Sequence, residues 1–111
     1  MVHGIKFLKE NNIMRVFISQ PMVDKTDEEI ETERDVALAK MKKEYTEPIH
    51  IIDSFFKDAP HDEKPLWYLG ESIKLLGDAD AVYFCKGWEQ YRGCTIEHEC
   101  AVRYGKMCIY A

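Results

Sequence analysis

The chain has 111 residues, the length of one domain, and its 46% apolar and 32% charged content suits one folded core, not a disordered or collagen-like chain. Fifteen basic against 20 acidic residues give a net charge of -5 and a pI near 5.3, leaving no cation excess for a nucleic-acid duplex or an anionic membrane. A small phosphorylated ligand stays within reach, because one Arg or one helix end holds a phosphate.

The first twenty residues include Lys9-Glu10-Asn11-Asn12 and no long apolar run, the pattern of neither a signal peptide nor a membrane anchor. A soluble cytoplasmic protein is expected. Residues 1–13 read as an N-terminal extension, and residues 14–111 as the domain. Val16-Phe17-Ile18 is the first strand, stopped by Ser19-Gln20-Pro21. Thr26-Asp27-Glu28-Glu29 is a capping box, and the helix it opens has Ile30, Ala37 and Met41 as its inward face. Acids early and lysines late in that helix suit its dipole.

Pro48 breaks the chain before a second strand, Ile49 to Ile52, which ends at Asp53. Residues 57–62 read as a flexible polar loop. A second helix runs from Pro65 to Leu76, with Leu66, Leu69, Ile73 and Leu76 inward and Gly77 as its stop. Ala81 to Cys85 is the third strand, followed by a loop to Gly93. A third helix spans about Thr95 to Tyr104, and Met107 to Tyr110 is the last strand.

Unalternating apolar strands separated by helices belong to a parallel sheet covered on both faces. The predicted fold is a Rossmann-like α/β/α sandwich on a four-stranded parallel sheet of order 2-1-3-4. Cys85, Cys94, Cys100 and Cys108 form no C-x-x-C pair and read as reduced structural thiols; the four histidines are scattered and suggest no metal site. No cofactor motif appears.

In such a sheet ligands bind beyond the carboxyl ends of the strands, where neighbouring crossovers diverge. That rule selects Ser19-Gln20-Pro21-Met22, the segment from Lys86 to Thr95, and Asp53 nearby. Glu97, in the first turn of the expected third helix, shares a helical stripe with Cys100, Ala101 and Tyr104, which aims it at the crevice as a candidate nucleophile or base. The bland alternatives are an acid that complements the helix dipole or pairs with Arg92. Gly93 allows close backbone approach, Thr95 caps the helix, and Arg92 is either an anion clamp or a surface ion-pair partner. Trp88 and Tyr91 either stack on a nucleobase or cover the core edge or a dimer contact.

Phe17 to Met22, Ala79-Asp80-Ala81-Val82 and Gly93-Cys94-Thr95-Ile96-Glu97 resemble the nucleoside 2-deoxyribosyltransferase-like superfamily, which includes the deoxynucleoside 5'-monophosphate N-glycosidases. Gly87-Trp88 and the run from Arg92 to Glu99 are similar to a small branch found in bacteria and their phages. The resemblance implies that Glu97 attacks the anomeric carbon of a nucleoside or nucleotide, that Gly93 and Thr95 wrap its 5' end, and that the protein is a homodimer or higher homo-oligomer. Two positions depart from the family: Phe17 stands where an assisting Tyr is usual, and Ser72 where an Asp acts near the leaving base. Three readings therefore stand: an N-glycosidase or deoxyribosyltransferase, a nucleotide-like binding module, and a structural subunit.

Overall fold

In the computed structural model, which describes residues 13–57 and 64–111, the apolar runs pair side by side as parallel strands. The order along the chain is β1 (Met14–Ser19), α1 (Asp27–Glu44), β2 (Ile49–Ile51), α2 (Pro65–Leu76), β3 (Ala81–Phe84), a 3-10 turn (Trp88–Gln90), α3 (Arg92–Arg103) and β4 (Met107–Tyr110). The sheet order is β2-β1-β3-β4, with all pairs parallel. Register is set at Met14↔Ile49, Val16↔Ala81 and Ala81↔Met107.

Alternate residues of the central strands fill two separate cores, as a doubly covered sheet requires. Met14, Val16, Ile18, Ala81 and Tyr83 pack with Ala37 and Met41 of α1. Phe17, Val82 and Phe84 pack with Leu76 of α2 and Ala101 of α3. The predicted three-layer sandwich and its strand order are therefore found. The capping box is present too: Glu29 N donates to Thr26 Oγ1 at 3.1 Å, and Thr26 N to Glu29 Oε1 at 2.8 Å.

Three expectations change. Leu66 is 77% exposed, because it sits in the first turn of α2, outboard of the sheet; burial tightens only towards Leu76. Tyr104 is also exposed, since α3 ends at Arg103 and the apolar stripe stops at Ala101. α3 begins at Arg92, three residues before the predicted start at Thr95. All four cysteines are free thiols, with Cys85 and Cys94 buried. The expected N-terminal extension, Ile13 apart, and most of the expected loop lie outside the described residues. Among the described residues, no helix is long and apolar enough to cross a membrane.

Candidate functional site

The loops after β1 and β2 and the start of α3 converge on a cavity of about 960 Å³ at the carboxyl ends of the strands. Phe17 and Ile18 of β1 lie at its base, and Gln20 to Val23 form one rim. Ser54 and Phe56 follow β2, while Pro65, Leu66, Tyr68, Leu69 and Ser72 supply the wall from α2. Tyr91 to Cys94, Ile96 and Glu97 close it from α3. The lining is mainly apolar and aromatic, with a few polar groups inserted, as in most small-molecule sites.

Glu97 is the central polar group. Only 8% of it is exposed, and Ser19 Oγ donates to its Oε1 at 2.6 Å from the buried end of β1. Burial raises its pKa from 4.5 to about 7, against the opposing pull of the Ser19 and Ser72 hydroxyls and the Arg34 charge. Near neutral pH it therefore exists both as carboxylate and as acid. Because α3 starts at Arg92, Glu97 is the sixth residue of the helix, not part of its first turn. The helix dipole fades beyond that turn and does not account for this carboxyl. Nor does Arg92, which is exposed and makes no side-chain hydrogen bond or ion pair among the described residues.

The other predicted site residues divide. Gln20, Pro21, Met22, Ser72, Arg92 and Gly93 line the cavity with Glu97, and Ser19 lies directly behind it. Asp53 is exposed and outside the lining; the next residue, Ser54, turns inward instead. Trp88 also lies outside it: its ring sits 5.2 Å from Phe84 and 4.3 Å from His98, so it covers the core edge. Thr95 does not cap α3. Its hydroxyl donates to Arg92 O at 2.9 Å within the helix, while Tyr91 occupies the cap without a side-chain bond. The first backbone N–H groups of α3, at Arg92, Gly93 and Cys94, consequently border the cavity without a capping side chain. Glu71, adjacent to Ser72, turns away and pairs with Lys74 at 2.9 Å.

Residues not singled out in the sequence complete the site. Arg34 of α1 donates from Nε to Gln20 Oε1 and from Nη2 to Ser54 Oγ, each at 2.9 Å. Its signal was an arginine at 34 within the apolar stripe of Ile30, Ala37 and Met41. Cys94, one turn before Glu97, is buried against Ser19; desolvation lifts its thiol to about 11, so it stays protonated. Among the described residues, no group of three His, Cys, Asp or Glu is placed to hold a metal ion.

No curated protein matches the chain. A family model described as Domain of unknown function (DUF4406) matches residues 14–110, from the first residue of β1 to the last of β4, and the chain belongs to that family.

Proposed function

We propose that the protein breaks or transfers the N-glycosidic bond of a nucleoside or nucleotide, with Glu97 as nucleophile. The observation that carries this reading is a buried carboxyl, oriented by Ser19, on the wall of a cavity large enough for a nucleotide. An oxygen of the Glu97 carboxylate adds to the anomeric carbon while the C–N bonding pair departs with the base. Water or a second base then resolves the resulting ester, as in a retaining glycosidase. The exposed Arg92 and the uncapped start of α3 suit an anionic group at the sugar's 5' end. The reading includes a cytoplasmic protein that works as a homodimer or higher homo-oligomer.

A second reading, a module that binds such a ligand without turnover, draws on two side chains. Phe17 brings no hydroxyl to the base of the cavity, and Ser72 faces Glu97 where a carboxylic acid would deliver a proton. Losing positioned proton transfer costs roughly 100- to 10,000-fold in rate. Wild type, Glu97→Ala and Glu97→Gln incubated with deoxynucleosides and their 5'-monophosphates, with free base measured by chromatography, decide between the two. Base release by wild type alone is expected. Thermal stabilisation by a nucleotide that is recovered intact supports the binding module instead.

A further inference from the structure

Ser54 and Arg34 form a polar corner that the glycosidic chemistry leaves unused. Arg34 reaches from α1 behind the cavity wall and ties together the ends of β1 and β2 through Gln20 and Ser54. Gln20 lines the cavity, but its amide is engaged within the protein. Its Oε1 accepts from Arg34, and its Nε2 donates to Ile30 O at 2.9 Å and Glu33 Oε1 at 2.8 Å.

Ser54 differs. It is 4% exposed and lines the cavity, and its oxygen accepts from Arg34 Nη2. A guanidinium only donates, so this contact does not use the serine's single proton. Among the described residues no acceptor takes that proton. The geometry leaves a hydroxyl polarised by a neighbouring cation, with its donor free towards the cavity. A donor polarised in this way bonds an acceptor more strongly than an ordinary hydroxyl.

The surroundings indicate which part of a ligand lies there. β2 and β3 flank β1 on opposite sides, so Ser54 and the start of α3 approach Glu97 from different directions. On the Ser54 side the wall is aromatic: Phe56 and Tyr68 both line the cavity, with ring centroids 6.4 Å apart. A planar heterocycle fits against those rings, while an anionic group belongs near Arg92.

We propose that Ser54, held by Arg34, is a specificity-determining donor that reads an oxygen acceptor on a planar heterocycle, favouring oxo-substituted over amino-substituted rings. An exocyclic amine offers hydrogens where this corner needs a lone pair, so an amino ring leaves the donor unpaired. The inference rests on the nucleoside-cavity reading above and names the base edge it selects.

Binding of hypoxanthine and adenine to the full chain, measured by ligand-observed NMR titration, tests it. Wild type is expected to prefer hypoxanthine by about tenfold, the scale of one buried hydrogen bond made or left unmade. Ser54→Ala is expected to bring the two within about twofold, and Ser54→Thr, which keeps the hydroxyl, to retain the preference. Circular dichroism confirms that each variant folds. Equal binding by wild type, no binding of either base, or a preference that survives in folded Ser54→Ala overturns the proposal. Base release from nucleosides without this preference leaves Glu97 as nucleophile and removes only the role of Ser54. The preference without base release does the reverse.

Discussion

Replacing Glu97 with Gln should change how stability depends on pH, through one carboxyl alone. The folded protein holds the Glu97 proton up to about pH 7, against 4.5 for the ordinary side chain. Between those values the native state binds more protons than the unfolded chain, so stability falls as pH rises from about 4.5 and levels off above 7. A gap of about 2.5 in pKa, at about 1.36 kcal/mol for each unit, corresponds to about 3 kcal/mol. Below pH 4.5 the neutral acid favours folding fully; above 7 the buried carboxylate opposes it. A glutamine is neutral throughout and keeps an oxygen for the Ser19 hydroxyl. Urea denaturation of wild type and Glu97→Gln from pH 4 to 8.5 isolates the effect, because every other titrating group is common to both. The variant should match wild type near pH 4 and exceed its stability by about 3 kcal/mol above pH 8. A constant difference across the range would refute the reasoning, since it would mean that Glu97 titrates alike folded and unfolded.

Two further outcomes concern the frame around the site. Thr26→Ala removes the capping box of α1 and should cost about 1 kcal/mol in urea denaturation, leaving the Glu97 pH profile unchanged. Gly87→Ala and Gly70→Ala should move stability in opposite directions although neither meets a neighbour within 4 Å. Gly87, at φ +86, turns the chain out of β3 and should lose about 1–2 kcal/mol as alanine. Gly70, inside α2, should gain up to about 1 kcal/mol.

The layered architecture was legible because the apolar positions carry two periods without ambiguity. Val16 to Ser19 and Ala81 to Cys85 are apolar or small at successive residues, as strands covered on both faces must be. Ile30, Ala37 and Met41 recur at helical spacing. The aim of Glu97 followed from the same logic, one turn before Ala101 on the inward stripe. What failed was local. A threonine at position 95 has the chemistry of a cap and points to a start there, yet the helix begins three residues earlier with no capping side chain. Asp53 is a candidate only by its place after β2, but beyond the strand the chain leaves the aspartate exposed and buries the next residue, Ser54, against the cavity. Trp88 is a stacking candidate by its place in the loop after β3; its contact with His98 comes from the turn that Gly87 makes, which no spacing rule reveals. Arg34 was hidden because its partners, Gln20 and Ser54, are 14 and 20 residues away.

The two tryptophans occupy separate neighbourhoods. Trp67 meets Phe56 edge-on at 6.0 Å and Tyr68 at 5.0 Å, touching the aromatic wall from outside, whereas Trp88 lies over Phe84 beyond the sheet's other flank. The molecule thus carries a pair of native fluorophores, one packed against two rings of the hollow's lining and the other at the far margin of the sheet. A ligand seated against Phe56 and Tyr68 should therefore change emission from the first and leave the second as an internal reference within the same polypeptide.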